Sequence, residues 1–483
     1  MTTTVNLRKV LHRKSLEMLT ALGVSTGAGT FLVSDKSGII DHQPIFCIVN
    51  ASSIWRYDAD EDGWLQLPNS GIAGVAGAGI AADVSTYGAM GGTFTQTATA
   101  GGAASITTNK TVVKSLAGNR IRVIAGTGVG FDGTVVSNTI GANSVLTISG
   151  GTFDATTQFV VYSGSLWYFN PGTAAVGFAV YDIATNAWTQ KAVTNLPTSF
   201  GTDAQLVCTA GKLNAWNSGA ATAGAATTIT RSTANWAVNQ WANYQVRITA
   251  GTGIGQVRQV ASNTATVVTV SSAWTVNPDA TSVFQFEGSE DAFYLIGNAA
   301  VTMYKYSVTG NTWTVLAPTA ARSGAPGAGA SLNWIEQASS WVFASDGSVK
   351  NLIASGTILK QPGRYLFSFR GLATNTLDIY DIAANTWISA VTYGNQNETF
   401  TTGTASVDHK GAIYLQKDAT GRIYKFDIEE FYMKPLGTIT VPQSTTAVGN
   451  KMTVLTYKDG ATEIDFLYTA AHSRSEFFRM LLV

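Results

Sequence analysis

Two glycine-rich stretches are the first candidates for chemistry in this chain. Gly126-Thr-Gly-Val-Gly130 and Gly251-Thr-Gly-Ile-Gly255 have a glycine spacing close to that of loops that cradle phosphate groups. Such a loop must open a helix, because only then do its backbone amides face the anion. Both stretches are instead followed by strand-forming residues, and neither carries the lysine of a P-loop. The sequence therefore predicts two hairpin turns here and no bound nucleotide or other cofactor.

An acidic turn near the start of the chain is the second candidate. Asp58, Asp60 and Asp62, followed by Gly63, copy the first half of a calcium-binding loop. The bidentate acid that closes such a loop would fall at Asn69, which cannot supply a carboxylate. We therefore expect turn carboxylates in solvent and no metal.

Histidine and cysteine are too scarce for most other site chemistry. The four histidines share no ligand spacing, and they stand at His12, His42, His409 and His472. Cys47 and Cys208 are too few for a disulfide framework or a structural zinc site. No nucleophile turn of a serine or cysteine hydrolase is recognisable. A glycosidase needs only two carboxylates and stays open among 30 acidic residues, but we expect a protein that is not an enzyme.

The glycine-rich stretches belong to a duplication with a constant offset of 125 residues. The offset also relates several residues outside the two stretches: Arg122 to Arg247, Ser137–Thr139 to Ser262–Thr264, Asp154 to Asp279, Phe159 to Phe284 and Trp188 to Trp313. A shared offset over this length indicates two copies of one unit. Each copy reads as a short β-meander, since strand-like runs lead into and out of the glycine turns.

A second motif recurs without the first and predicts a hairpin. An aromatic residue ends an alternating apolar run, a polar turn follows, and a tryptophan stands seven positions after the first aromatic. The anchor pairs are Tyr57 and Trp64, Tyr181 and Trp188, Tyr306 and Trp313, and Tyr380 and Trp387, with a looser copy from Phe426 to Met433. The paired rings would supply large buried areas on facing strands.

These hairpins resemble the kelch repeats of galactose-oxidase-type β-propellers, in which the same Tyr-to-Trp spacing joins the outer strands of a blade. The resemblance covers roughly residues 45–95, 165–218 and 289–480, and the Gly-Gly doublet of the family is degraded here. It implies an all-β, kelch-like propeller of six or seven blades. Closure of the ring would pair the C-terminal run, residues 463–483, with a blade begun near Pro44–Val49. An unrelated β-sandwich with repeated hairpins is the alternative fold.

The domain boundaries follow from the two motifs. The duplicated units predict inserted β-domains at residues 95–164 and 219–288. The propeller then occupies residues 41–94, 165–218 and 289–483, after an N-terminal arm at residues 1–40. Within the arm, a short helix is expected over residues 5–22, with Thr4 as its cap and a basic face that could dock on a partner or fray in solvent. The basic residues are Arg8, Lys9, Arg13 and Lys14.

The composition narrows the partners. Charged residues make up only 12% of the chain, and 30 basic residues balance 30 acidic ones, so no global field favours nucleic acid or an anionic membrane. No run of 18 or more apolar residues predicts a membrane span. The expected partners are other proteins.

The amino-acid sequences of the duplicated units resemble modules that recur in structural proteins of tailed-bacteriophage virions. That resemblance covers about 140 residues and implies a virion component, present in several copies, that acts through protein-protein contacts at the head, neck or tail. A receptor- or carbohydrate-binding virion protein is the alternative. It would use exposed loop tryptophans to contact a host surface glycan, and Trp216, Trp236 and Trp241 are the candidates, unless they pack inside the inserted domain.

Overall fold

The computed structural model describes most of the chain, in ranges that are separated by gaps. The described residues are 17–25, 30–34, 45–49, 53–59, 62–72, 79–83, 95–113, 115–162, 165–170, 176–182, 186–198, 200, 204–209, 216–287, 292–297, 300–308, 310–335, 363–417, 420–428, 430–440, 452–459, 462–470 and 474–482.

Within these ranges every regular element is a β-strand. The first strands are β1 (Glu17–Leu19), β2 (Phe31–Ser34), β3 (Ile45–Val49), β4 (Ser53–Asp58), β5 (Gly63–Leu67) and β6 (Gly79–Asp83). The next are β7 (Thr95–Thr97), β8 (Ala100–Thr107), β9 (Arg120–Ala125), β10 (Asp132–Asn138), β11 (Val145–Thr152) and β12 (Gln158–Tyr162). Four more follow: β13 (Ser165–Asn170), β14 (Gly177–Asp182), β15 (Ala187–Gln190) and β16 (Gln205–Cys208).

The second half continues in the same way. It contains β17 (Trp216–Ala220), β18 (Ala223–Ala225), β19 (Thr228–Thr230), β20 (Gln245–Ala250), β21 (Val257–Asn263), β22 (Val267–Val270) and β23 (Val283–Glu287). It then contains β24 (Ala292–Ile296), β25 (Met303–Ser307), β26 (Thr312–Val315), β27 (Asn333–Trp334), β28 (Tyr365–Phe369), β29 (Leu377–Asp381) and β30 (Thr386–Val391). The last strands are β31 (Ala405–His409), β32 (Ala412–Lys417), β33 (Arg422–Asp427), β34 (Tyr432–Thr440), β35 (Met452–Asp459), β36 (Thr462–Ala470) and β37 (Phe477–Leu482).

Six of the sheets have four antiparallel strands each. Sheet I is β2-β3-β4-β5, sheet II is β6-β13-β14-β15 and sheet III is β16-β24-β25-β26. Sheet IV is β27-β28-β29-β30, sheet V is β31-β32-β33-β34 and sheet VI is β35-β36-β37-β1. Two larger sheets, of six and seven strands, are built from β7–β12 and β17–β23.

The first strands of the six sheets contact one another in a closed cycle. β2 contacts β6, β6 contacts β16, β16 contacts β27, β27 contacts β31, β31 contacts β35, and β35 returns to β2. Six separate apolar clusters fill the gaps between neighbouring sheets around this cycle. A ring of radial four-stranded sheets is a β-propeller, so the all-β prediction and its propeller form are confirmed.

The ring is closed by a strand that the sequence analysis assigned to a helix. Glu17, Met18 and Leu19 form β1, which pairs with Arg479, Phe478 and Phe477 at the outer edge of sheet VI. The Glu17 carboxylate also lies 2.6 Å from Arg479 Nε. The expected helix over residues 5–22 is therefore wrong at residues 17–19, and residues 1–16 lie outside the described part of the chain.

The expected pairing of the C-terminal run with residues 44–49 is also wrong. Ile45–Val49 is the second strand of sheet I, where it lies between β2 and β4. Both of its edges are already paired, one with β2 and one with β4, so it has no free edge to offer the C-terminus. The short β1 carries out the closure instead, and one sheet is thereby held by both ends of the chain.

Four of the predicted hairpins share one geometry. The tyrosine hydroxyl donates to an Asx side chain five residues later at 2.6 Å in each, which joins Tyr57 to Asp62, Tyr181 to Asn186, Tyr306 to Asn311 and Tyr380 to Asn385. Each Asx has a positive φ, between 48° and 54°, which Asn and Asp tolerate better than most residues.

The tryptophan of each hairpin pairs with the tyrosine across the two outer strands. The ring centroids are 5.0 Å apart for Tyr57 and Trp64 and 5.2 Å apart in the other three hairpins. Trp64 Nε1 and Trp188 Nε1 further donate to Thr20 O and Pro68 O, which follow the outer strand of the preceding sheet. These anchors therefore hold the outer strands both within a sheet and between neighbouring sheets.

The two faces of the propeller differ in what they carry. Because successive strands in each sheet run antiparallel, the connection from first to second strand and the hairpin from third to fourth strand leave from the same end. We call this end the insert face. The connections between sheets, and the turns from second to third strand, lie on the opposite face.

Candidate interaction surface of the inserted domains

Both larger sheets grow from the same connection of neighbouring propeller sheets. The strands of the first span residues 95–162 (insert 1) and lie between β6 and β13, which pair with each other in sheet II. The strands of the second span residues 216–287 (insert 2) and lie between β16 and β24, which pair in sheet III. The sequence analysis placed the start of the second unit at residue 219, whereas β17 begins at Trp216.

Each insert has a core of its own. The core of insert 1 contains Ile121, Val123 and Phe159, and the core of insert 2 contains Val246, Ile248 and Phe284 at the equivalent positions. All six side chains are at most 1% exposed. Each insert therefore buries apolar surface without help from the propeller core.

The offset of 125 residues also relates hydrogen bonds in the two inserts. Leu116 N donates to Asn138 Oδ1 at 2.6 Å, and Trp241 N donates to Asn263 Oδ1 at 2.8 Å. The two inserts are thus copies in three dimensions as well as in sequence.

The Gly-Thr-Gly turns contact a second turn of the same insert. Thr127 Oγ1 donates to Asp154 Oδ2 at 2.6 Å, and Thr156 Oγ1 donates to Asp154 Oδ1 at 2.6 Å. Thr252, Asp279 and Thr281 repeat this arrangement in insert 2. In insert 1 the hydrogen bonds from the two threonines lower the pKa of Asp154, and in insert 2 those from Thr281 and Thr252 lower the pKa of Asp279.

The first glycine of each turn is required by this close approach. Gly126 has a φ of +75°, and a Cβ there would lie 1.9 Å from Thr156 O. Gly251 has a φ of +72°, and a Cβ there would lie 1.9 Å from Thr281 O. The amides of Thr127 and Gly130 donate to Thr156 Oγ1 and Val123 O, so they are already used within the insert. The turns serve the packing of the β-meander, in agreement with the hairpin interpretation.

The acidic turn of sheet I has a structural role at one of its carboxylates. Asp62 Oδ1 accepts from the Tyr57 hydroxyl at 2.6 Å and from Thr20 N at 3.0 Å. Burial and the contact with Asp62 raise the pKa of the Tyr57 hydroxyl. Asp60 and Glu61 lie outside the described residues. Among the residues that are described, no group of three His, Cys, Asp or Glu side chains is placed to hold a metal ion.

Two of the predicted glycan-contacting tryptophans are buried. Trp236 is 3% exposed and lies edge-on to Phe286, with ring centroids 5.5 Å apart. Trp241 is 0% exposed and stacks on the same Phe286 at 4.1 Å. Of the two interpretations that the sequence left open, packing inside the inserted domain is therefore the one found for Trp236 and Trp241, and the use of these two side chains as exposed glycan contacts is wrong. The backbone of Trp216 pairs with Phe286 in the same sheet, and its side chain lies outside the described part.

The other predicted site residues are distributed as follows. The basic arm residues Arg8, Lys9, Arg13 and Lys14 lie outside the described residues, as do His12, His42 and His472. His409 Nε2 lies 3.0 Å from Asp465 Oδ2 across the boundary between sheets V and VI. Cys47 is buried and Cys208 is half-buried, and neither forms a disulfide. In the described part of the chain, no helix has the length and apolar character needed to cross a bilayer.

The inserts contact each other through different faces. Arg247 Nη1 of insert 2 donates to Val113 O of insert 1 at 3.0 Å, and Arg247 Nε lies 2.8 Å from Glu287. Ile140 of insert 1 lies against Gly255 of insert 2, where an added Cβ would be only 2.5 Å from its side chain. The contact therefore combines a buried ion pair, a hydrogen bond between domains and a small apolar fit.

Insert 2 also contacts the propeller. Asn243 Nδ2 donates at 2.7 Å to Ala383 O, which lies in the hairpin turn between β29 and β30 of sheet IV. Ala383 packs against the core of insert 2, and burial raises the pKa of Tyr244 in the same region. Insert 1, which grows from sheet II, thus contacts insert 2, and insert 2, which grows from sheet III, contacts sheet IV. Each insert therefore contacts the unit that follows it around the ring.

A buried charge cluster was not found by sequence reasoning. Asp378 accepts from Arg322 Nε and Arg370 Nε, both at 2.7 Å, and Arg322 Nη2 donates to Ser368 Oγ at 2.9 Å. Burial acts to raise the pKa of Asp378, but the two arginines hold it below its usual value. The cluster joins the connection after sheet III to sheet IV, and no local pattern links residues 56 positions apart.

Comparison with known proteins adds little. No protein-family model matches the chain. No curated protein matches it either. Among solved structures, one titled "Structure of U3-55K" is similar over 97% of this chain and 98% of its own, with 7% identity and a TM-score of 0.35. "Crystal Structure of Mitotic Checkpoint Complex" is similar over 97% and 94%, with 7% identity and a TM-score of 0.34. "Crystal structure of RRP9 WD40 repeats" is similar over 97% and 100%, with 7% identity and a TM-score of 0.33.

Proposed function

We propose that this chain is a non-catalytic structural component of a tailed-bacteriophage virion and acts through protein-protein contacts. In this proposal the propeller is kelch-like and has six blades, which are sheets I–VI. The two inserts are its contact modules, and the protein is an accessory of the head, neck or tail. The N-terminal arm, with Arg8, Lys9, Arg13 and Lys14, is a docking segment.

One observation carries the proposal. Two copies of one β-domain grow from the same connection of neighbouring sheets, and they are fixed to each other by Arg247 and to the propeller by Asn243. Two copies of a domain in a fixed relative orientation present one large and rigid surface. Such a surface suits permanent assembly, in which complementary shape and buried groups at the contact determine the partner.

Four carboxylates of the described residues have partners that support the same proposal. Asp62 is bonded to Tyr57, and Asp154 and Asp279 are bonded to threonines of the glycine turns. Asp378 is bonded to two arginines. Each of these carboxylates is engaged in holding two segments of the chain together, which is a structural role.

The resemblance of the inserts to virion modules gives the proposal its setting. The low share of charged residues, 12%, and the zero formal net charge also suit a protein that spends its life assembled, because they give little colloidal repulsion between copies. The alternative of a glycan-binding virion protein is weakened by the burial of Trp236 and Trp241.

The proposal is tested by removing one insert and following incorporation into particles. Insert 2 can be replaced by a short Gly-Ser turn between Cys208 and Ala292, because β16 and β24 are already neighbours in sheet III. The variant is expected to keep the far-ultraviolet dichroism of a folded propeller while its copies disappear from purified particles. A chain that is absent from purified particles even when unaltered would contradict the proposal.

A second variant disrupts insert 2 without shortening the chain. Trp241→Ala empties the core of insert 2, because this side chain is 0% exposed, but leaves the propeller sequence intact. If insert 2 is the contact module, both variants fail to enter particles. If the propeller alone makes the contact, both variants enter normally, and the role assigned to the inserts is refuted.

A further inference from the structure

The contact between the inserts is head-to-tail. Insert 1 contributes Val113 and the turn that carries Ile140, whereas insert 2 contributes Arg247 and the turn that carries Gly255. The two domains are copies of each other, yet they use different faces at this contact. A contact of this kind does not close on itself, and it leaves one unused face at each end of the pair.

The unused face of insert 1 is exposed. Arg122 is the equivalent of Arg247, and its side chain is 48% exposed, whereas that of Arg247 is 8% exposed. Val129 is the equivalent of Ile254, which lies 4.0 Å from the position of a Cβ on Gly141 of insert 1. Val129 is 66% exposed, and Ile124 beside it is 40% exposed. We call Arg122, Ile124 and Val129 the open strip.

The unused face of insert 2 is exposed as well. Val113 of insert 1 is only 8% exposed, with its carbonyl bonded to Arg247. Its equivalent in insert 2 is Val238, which is 75% exposed, the highest value among the large apolar side chains of the described residues. Arg247 and the Val113 segment therefore each have an exposed equivalent on the same chain, in Arg122 and Val238.

We propose that a second copy of this chain fills both faces. The segment around Val238 on insert 2 of one copy docks on the open strip of insert 1 of the next copy. Arg122, which pairs with Asp132 where Arg247 pairs with Glu287, then occupies the position that Arg247 has within one chain, and Val129 occupies that of Ile254. Repetition of the contact arranges copies in a row or, where the rotation closes, in a ring.

The contact between chains is weaker than the contact within a chain. In insert 1 five residues separate Thr139 from Val145, whose amide bonds to the Thr139 hydroxyl, and this turn carries Ile140. In insert 2 only two residues separate Thr264 from Val267, which makes the equivalent bond. Insert 2 therefore lacks a counterpart of Ile140. We expect association at about 1–100 µM, a range that high local concentration in a particle would easily exceed.

The test is sedimentation velocity of the purified full chain over about 1–100 µM. Three variants are compared with the unaltered chain: Val129→Asp, Val238→Lys and the control Val315→Asp. Val315 is 51% exposed and lies on the outer strand of sheet III, away from both faces. Thermal unfolding of each variant checks its fold, and Val129→Lys replaces Val129→Asp if the latter unfolds.

The unaltered chain and the control are expected to form larger species as concentration rises, and each of the other two variants is expected to stay monomeric. A charge placed in either half should weaken the contact at least about tenfold, because the carboxylate of Val129→Asp would lose water on docking and the ammonium of Val238→Lys would lie against the like charge of Arg122. An equimolar mixture of the Val129 and Val238 variants should form dimers and nothing larger, since each supplies the half that the other lacks.

Other results overturn the inference. A monomeric unaltered chain at every concentration refutes self-association. Loss of association in only one of the two variants shows that a face pairs with itself or with another surface. The inference rests on the proposed function only for its setting. Self-association by a chain that never enters particles would refute the virion role alone, and a virion chain that remains monomeric would refute this inference alone.

Discussion

Substitution of Gly126 by alanine should unfold the turn of insert 1, whereas the same change at Gly130 should not. Both residues belong to one glycine turn and have positive φ values, +75° and +86°. A Cβ on Gly126 would lie 1.9 Å from the backbone oxygen of Thr156, while a Cβ on Gly130 meets nothing within 4 Å. The pair therefore separates backbone conformation from steric overlap.

The expected costs follow from this geometry. Gly130→Ala carries only the left-handed backbone penalty, about 1–2 kcal/mol. Gly126→Ala carries the same penalty and must also move the Thr156 backbone. That movement breaks the hydrogen bonds of Thr127 with Thr156 and Thr157. At about 1 kcal/mol for each hydrogen bond, the total cost is about 3–4 kcal/mol.

Hydrogen exchange measured by mass spectrometry is the suitable assay, because a chain with several cores does not unfold in two states. Peptides covering residues 119–135 and 153–162 should lose protection in the Gly126 variant, and peptides of sheets IV and V should not change. Equal loss of protection in the two variants would refute the steric argument. Unchanged protection in both would show that the turn is free, as a ligand loop would be.

Three further perturbations test the account. Tyr306→Phe removes the hydrogen bond to Asn311 and should cost about 1 kcal/mol of stability near neutral pH. Because burial raises the pKa of Tyr306 to about 12, the stability advantage of the wild type is complete below the unfolded pKa of about 10 and should shrink as pH rises through 12. A cost that stayed constant in thermal melts up to that pH would contradict the role of the hydroxyl. Asp465→Asn should remove part of the acid sensitivity of the chain, because burial acts to raise the pKa of this carboxyl but His409, Lys410 and Thr456 hold it well below its usual value. The contribution of Asp465 to stability is therefore present above a pH of about 4 and is lost as pH falls further. Identical acid melting curves for the variant and the wild type would count against this role. Deletion of residues 1–16 should leave the melting temperature unchanged. Deletion of residues 1–22 removes β1 and the Glu17–Arg479 pair and should lower the melting temperature by several degrees. Equal melting temperatures for the two deletions would mean that β1 does not close the propeller.

Much of the architecture was readable because it is periodic. The Tyr-to-Trp spacing predicted the pairing of Tyr181 with Trp188 across two strands, since one tight turn fixes the register of a hairpin. The offset of 125 residues likewise predicted that Gly126 and Gly251 occupy equivalent turns. Repetition supplied the evidence in both cases, because one weak match becomes informative when it recurs at a fixed distance.

The failures involve residues whose fate is set by distant parts of the chain. Glu17–Leu19 is too short to show strand alternation, and it becomes a strand only because Phe477–Leu482 offers an edge. Trp241 looks like a loop residue in the sequence and is buried because Phe286 lies opposite it. Arg322 and Asp378 are single charges without a local pattern.

The contact between the inserts could not have been predicted from the duplication. Arg122 and Arg247 are identical in the two copies, yet only Arg247 is covered. The difference arises from position in the ring, because insert 2 follows insert 1 and receives its Val113 segment. The same residue type at equivalent positions therefore has different surroundings in the two copies. The exposure of Arg122 points to a contact only by comparison with the buried Arg247.

The proposed role as a structural part of a virion can be tested on intact particles. A cryo-electron-microscopy reconstruction of the phage whose genome encodes this chain is the decisive measurement. If the chain has this role, density is expected for a six-bladed disc with two touching lobes on one face, repeated with the symmetry of the head, neck or tail. A reconstruction in which all density is accounted for by other proteins, with this chain absent from the purified particles, would contradict it.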